Sequence, residues 1–154
     1  MTKGSASGDP LHRHLGYWMR LVSNQVSGDF ARALGIHEIS VAEWVALNQI
    51  HRVQALTSSM LSAHMGMTRG AVSKILEKLE SKSLLVRSTS PDDSRVQFLS
   101  LTHKAAKLLP VLTNVADTND ARFFAALEES ERAALLSIMR KLANLHEIRG
   151  VPIE

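Results

Sequence analysis

Residues 56–102 read LTSSMLSAHMGMTRGAVSKILEKLESKSLLVRSTSPDDSRVQFLSLT. The order is a helix, a tight turn, a second helix, then two strands around a polar loop. Thr57 is placed to cap a short helix running through Leu61 and Ala63 to Met65. Gly66 is placed to end it, because glycine accepts the left-handed conformation with which helices often stop. Thr68 caps the next helix, where Val72, Ile75, Leu76 and Leu79 recur at three- and four-residue steps and so share one buried stripe. Gly70, Ser73, Lys74 and Glu77 fall on or near the opposite face, with Arg69 beside it in the first turn. Leu84–Thr89 and Arg95–Leu101 suit strands, and Ser90-Pro91-Asp92-Asp93-Ser94 between them is strong turn chemistry.

This is the order of a winged helix-turn-helix, an arrangement that sets one helix in a DNA groove and a basic loop beside it. The expected fold class is mainly α with a small β-hairpin wing, the winged segment being embedded in a helical dimerisation part. Arg69, Gly70, Ser73 and Lys74 lie on the N-terminal half of the second helix, the end that enters the major groove. Gly70 removes bulk where a phosphate or base edge approaches. Arg95 follows the hairpin tip, where an arginine suits a narrow minor groove. Thr57, Ser58 and Arg87 are candidates for phosphate contacts. A solvated helix face would also account for Arg69 and Lys74, and an ordinary turn for Asp93 and Arg95. The wing beside the helix favours DNA for the former.

The same residues resemble the MarR family of bacterial transcriptional regulators. The family's wing carries Asp-x-Arg shortly before a Leu-Thr that opens the next helix, here Asp93-Ser94-Arg95 and Leu101-Thr102. Its recognition helix starts with Ser or Thr then Arg and ends in Leu-Glu-x-Lys, here Thr68-Arg69 and Leu79-Glu80-Ser81-Lys82. The similarity extends to Gly16-Tyr17 and to Leu34-Gly35-Ile36, and spans roughly residues 11 to 148. It implies that Arg95 is a minor-groove probe and that Asp93, one residue removed from it, meets its side chain across the tip. Ser83 departs from the family's usual glycine, which leaves a less regular cap expected at the end of the recognition helix.

At 154 residues, 45% of them hydrophobic, the chain is expected to form a single domain over 1–154 with a substantial core. Within it, 40–102 is the winged part, and 11–34 and 103–150 are the helical dimerisation part. No apolar run is long enough to span a bilayer, and Lys3 is followed by Gly, Ser, Ala and Ser rather than a signal-peptide apolar region. A cytoplasmic location is expected. Cysteine is absent, so the chain has no disulfide or thiol sensor. The net charge is +3, and residues 57–104 hold seven Lys/Arg against four Asp/Glu, whereas 105–154 hold six against seven. The positive excess lies where phosphates would be met.

Residues 1–9 are Gly/Ser-rich and expected to be disordered. A long helix is expected over 11–34 with Gly28 as a weak spot, and Ser40 caps another through Val45, Leu47 and Ile50. Thr102 opens a helix that Pro110 should bend, and a last helix runs from Glu128 to Ile148, stopped by Gly150 and Pro152. These outer helices are too apolar for one small winged domain. A homodimer on an inverted-repeat operator in double-stranded DNA is expected, as the resemblance also implies.

The seven histidines show no metal-ligand spacing: His12 and His14 are two apart, and His37 and His146 sit only beside a glutamate. No metal site, cofactor or catalytic residue is expected, and no nucleophile elbow, phosphate loop or dinucleotide fingerprint appears. The chain is therefore read as a non-enzymatic regulator, most naturally a repressor. Two other readings remain open: a metal-responsive regulator, and a winged-helix protein–protein assembly module. Arg69, Lys74 and Arg95 favour DNA over the latter, since an assembly surface tends to show apolar anchors. The resemblance further implies an effector cleft walled by the first, second and fifth helices. Tyr17, Trp18, Arg20, Trp44 and His51 are its candidate lining, suited to a small aromatic or anionic ligand, although for each tryptophan taken singly core packing is the better explanation.

Overall fold

The computed structural model describes residues 9–152; the expected disorder of 1–9 falls almost wholly outside them. The helices are α1 (Leu15–Gly35), α2 (Val41–Arg52), α3 (Ser58–Met65), α4 (Arg69–Ser81), α5 (His103–Phe123) and α6 (Glu129–Leu145). The strands β1 (Leu85–Thr89) and β2 (Gln97–Leu101) lie between α4 and α5 and pair antiparallel, with Arg87 opposite Leu99 and Thr89 opposite Gln97.

The caps explain where most helices begin. The hydroxyls of Thr57, Thr68 and Thr102 accept the N–H of Met60, Ala71 and Ala105 at 3.2, 3.2 and 3.1 Å. Each satisfies a donor that the helix itself leaves unpaired. Ser40 and Glu43 form a reciprocal capping box on α2. Gly66 ends α3 at φ 64°, in the left-handed region that only glycine enters without strain.

Leu47, Leu61, Val72, Leu76 and Leu79 are fully buried at the centre of the winged part. Truncating any of them to alanine typically costs about 2–5 kcal/mol. Leu34 from α1 and Leu112 from α5 close the same core. Leu56 extends the sheet: its carbonyl accepts the Leu99 N–H at 2.8 Å, and Thr57 bridges Phe98. This pairing sets the start of α3 against the wing.

Three expectations are corrected. The first long helix does not run unbroken from residue 11. Pro10–Arg13 form a short 3-10 turn capped by Asp9, His14 is extended, and α1 starts at Leu15. The Trp18 indole N–H donates to the His12 carbonyl at 3.0 Å and holds that turn over the helix start. Past its start α1 runs through Gly28 to Gly35. The last helix ends at Leu145, ahead of Gly150. Glu147 turns left-handed at φ 48°, and the Ile148 N–H reaches back to the Ala143 carbonyl. Finally, the end of α4 is a regular Schellman turn despite Ser83. The Ser83 and Leu84 N–H groups donate to the Glu80 and Leu79 carbonyls, both at 2.9 Å. The departure from glycine shows instead as a serine held at φ 58°.

Candidate nucleic-acid interface

Val72, Ile75, Leu76 and Leu79 bury one face of α4, which turns Arg69, Gly70 and Lys74 out to solvent with Ser73 partly covered. The Ser73 hydroxyl bonds the Glu77 carboxylate at 3.3 Å, and the Arg69 guanidinium donates to the Ser59 hydroxyl on α3 at 3.4 Å. The exposed half-turn therefore has small residues at its centre and a cation at each side.

Beside it the wing carries Arg95, exposed, just past the tip. Asp93 does hold it, through the main chain of Arg95 rather than its guanidinium: the Asp93 carboxylate accepts the Arg95 main-chain N–H at 2.9 Å. The expected meeting of the two side chains across the tip is corrected accordingly. A turn aspartate two residues back reaches its neighbour's amide more readily than a side chain projecting away from it.

Thr57, Ser58, Arg87 and Arg95, predicted separately, come together along one groove of about 310 Å³ between the start of α3 and the wing. Ser59 and Gln97 complete its lining and were not anticipated. Ser59 adjoins Ser58 in sequence, and Gln97 shares a strand face with Leu99, two residues on, so both were within reach of sequence spacing. Arg87 is also paired: its Nε and Nη2 donate to the two Glu80 carboxylate oxygens at 2.8 and 3.1 Å.

A second polar cluster secures the far end of α4. The Lys82 ammonium donates to the Glu43 carboxylate at 2.7 Å and to the Glu38 carbonyl at 2.6 Å. The Lys104 ammonium donates to the Lys82 carbonyl, and the Thr102 hydroxyl to the Ser83 carbonyl. The Glu43 side chain is only 3% exposed. Burial pushes its carboxyl up, but the hydrogen bonds from Lys82 and Ser40 and the nearby ammonium outweigh this and leave it below its ordinary value. The recognition-helix candidate is thus anchored to α2 and α5 at its C-terminal end and meets α3 through Arg69 and Ser59 at the other.

The five candidate ligand residues do not converge within one chain. Tyr17 and Trp18 form an aromatic cluster with His12, the ring centroids 5.3–5.6 Å apart, at the start of α1. Trp44 packs edge-on against Phe30 at 5.0 Å and lines a cleft of about 530 Å³ between α1 and α2. Its indole N–H is buried with no partner among the described residues. His51 lines a different groove, with Asn48, Pro110 and Asp117 between α2 and α5. Arg20 is exposed on α1. No group of three or more His, Asp or Glu that could hold a metal occurs among the described residues.

The model of the MarR family matches residues 37–96, the segment running from just before α2 to the wing. That segment is similar to the MarR family. Over 143 residues the chain is 28% identical to a protein of Thauera aromatica assigned provisionally to regulation of the hcr operon, covering 92% of the chain and 83% of the relative. It is 29% identical to an HTH-type transcriptional regulator of Bacillus cereus, itself uncharacterized, over 89% and 93% of the two chains. Among solved structures, the complex of a mutant Escherichia coli MarR with operator DNA superposes at TM-score 0.73, with 20% identity over 88% of this chain and 99% of that one. The Staphylococcus aureus MepR–DNA complex does so at TM-score 0.73, with 22% identity over 85% and 97%. Bordetella bronchiseptica BpsR, described as regulated in its DNA binding by 6-hydroxynicotinic acid, superposes at TM-score 0.74, with 20% identity over 89% and 98%. All three share this fold.

Proposed function

We propose that this protein is a sequence-specific DNA-binding transcriptional repressor that acts as a homodimer on an inverted-repeat operator and is released by a small aromatic or anionic ligand. The observation that carries the reading is the convergence of Thr57, Ser58, Arg87 and Arg95 in one groove beside the exposed Arg69, Gly70, Ser73 and Lys74 of α4. Hydroxyls and arginines suit phosphates, and small residues on the helix N-terminal half admit base edges. Similarity to named transcriptional regulators over most of the chain supports it. So does a fold shared with two regulators solved on DNA.

In this reading 40–102 is the DNA-binding part, and 11–34 with 103–150 joins the two copies. The bare apolar face of α6, where no residue is buried, favours such a junction. A cytoplasmic location fits a DNA-bound regulator, and no helix among the described residues is long and apolar enough to cross a membrane.

The test is selection of bound duplexes from genomic fragments followed by a gel shift across salt concentrations. A recovered inverted repeat whose affinity falls steeply with salt is expected. Recovery of no preferred sequence would overturn the reading. Titration with salicylate-like acids, following tryptophan fluorescence and operator release, tests the ligand part; no change in either signal would remove it.

A further inference from the structure

The Glu80–Arg87 pair has a use that the DNA-binding reading leaves open. Arg87 carries five N–H donors in a planar fork. Glu80 takes two of them, from Nε and Nη2. The three that remain belong to Nη1 and the outer side of Nη2, the edge that can form a second fork with an oxyanion. Arg87 at the same time lines the groove shared by Thr57, Ser58, Ser59 and Arg95. Its stem is fixed opposite Leu99 in the hairpin, and Leu99 is buried. The arginine is thus held at both ends, by the sheet and by α4.

We infer that Glu80 is a positioning residue for DNA binding: it holds the Arg87 guanidinium so that its free edge closes on one backbone phosphate seated in this groove, opposite Arg95. The inference rests on the DNA-binding reading and adds a residue that touches no DNA. An unpaired arginine would lose its rotamer freedom on docking, and Glu80 removes that freedom in the free protein. The carboxylate also weakens the field at the phosphate. The two effects oppose each other, and the bidentate geometry, which leaves a complete fork edge unused, favours positioning over masking. The pairing holds the Glu80 carboxyl below its ordinary value and Arg87 above its own, which keeps both groups charged.

The experiment is a double-mutant cycle read as the slope of log affinity against log salt, on a duplex recovered by selection from random-sequence DNA. The proteins are the parent, Arg87→Ala, Glu80→Gln and the double variant. In the parent, Arg87→Ala should lower the slope by about 0.9, the release expected from one phosphate contact. In the Glu80→Gln background the same change should have little effect, while urea midpoints show all four folded. An equal slope change in both backgrounds would overturn positioning, and a larger one in Glu80→Gln would show that the carboxylate masks Arg87 instead. If Arg87→Ala changes no slope while Arg95→Ala does, this inference fails and the DNA reading stands. If no duplex is recovered, or Arg95→Ala and Arg69→Ala are also without effect, the DNA reading fails and takes the inference with it.

Discussion

The carboxylate of Asp93 accepts the main-chain N–H of Arg95 at 2.9 Å, and the Asp93 carbonyl accepts the N–H of Val96 at 3.0 Å. Among the described residues no ion pair joins the two side chains. The aspartate therefore sets where the peptide of Arg95 lies and leaves the guanidinium available. Acceptance by the carboxylate oxygen, rather than its charge, is what the turn needs.

Replacing Asp93 with alanine should loosen the tip and weaken DNA binding by about 1 kcal/mol, the usual worth of one such hydrogen bond. Asp93→Asn keeps an acceptor oxygen and should bind nearly as the parent does. Fluorescence anisotropy on the selected duplex measures both. An asparagine variant as weak as the alanine one would mean that charge matters and the turn does not.

Ser83→Gly should stabilise the fold. A serine at φ 58° carries the left-handed penalty of roughly 1–2 kcal/mol, partly offset because glycine also gains freedom in the unfolded chain, by about 0.4–1 kcal/mol. The net gain expected is about 0.5–1 kcal/mol, seen as a higher urea midpoint at unchanged m-value. The Thr102 bond to the Ser83 carbonyl is retained in the variant, being made to the backbone. A lower midpoint would show that the serine side chain contributes something beyond its conformation.

Acid should weaken the anchoring of α4. The Glu43 carboxyl lies below its ordinary value of 4.5 in the folded protein, so its contribution is complete above that value and is lost as pH falls through the lower folded value. Urea titrations of the parent below about pH 4.5 should show stability dropping, and Glu43→Gln should flatten that drop. Lys82→Ala strands a buried carboxylate and should cost about 2–3 kcal/mol at neutral pH. That is less than for a fully buried pair, because the ammonium keeps contact with water. A Lys82→Ala protein with parental stability and parental acid sensitivity would contradict this account.

Dimerisation should depend on α6. Leu136, Ile138, Met139, Leu142 and Leu145 are all exposed within one chain, Leu145 at 70%. Apolar area of this extent along one helix is uncommon on an unpartnered surface. Sedimentation velocity should show a dimer at micromolar concentration, and Leu142→Glu or Leu145→Glu should shift it to monomer and abolish preference for an inverted repeat. A parent protein that sediments as a monomer would remove the dimer from the proposal.

The winged segment was legible because its signals are local. Thr57, Thr68 and Thr102 cap helices through atoms three residues away, Gly66 ends one through its own backbone, and the stripe from Val72 to Leu79 needs only helical spacing. The same helical spacing also put Arg69 and Lys74 on or beside the exposed face, where the structure has them. Local rules misplaced the helix ends at Leu15 and Leu145. The first depends on a bond from Trp18 back to His12, and the second on a left-handed Glu147 that no glycine signals.

Whatever joins residues distant in the chain came from the tertiary structure. Lys82 reaches Glu43 across 39 positions and the Glu38 carbonyl across 44, and no periodicity relates residues so far apart. Glu80 and Arg87 are only seven apart, but a helix end and a strand start lie between them, and the turn at Ser83 is what brings carboxylate and guanidinium face to face. Hydrophobic spacing and capping act within a turn or two, and were enough to delimit α4 and the β1–β2 wing. Packing decided which cations are tied, which are free, and that Thr57, Ser58, Arg87 and Arg95 share a groove. It also separated Tyr17 and Trp18 from Trp44 and His51. Side-chain type sets what a residue can bind, while its neighbours in space set what it already binds.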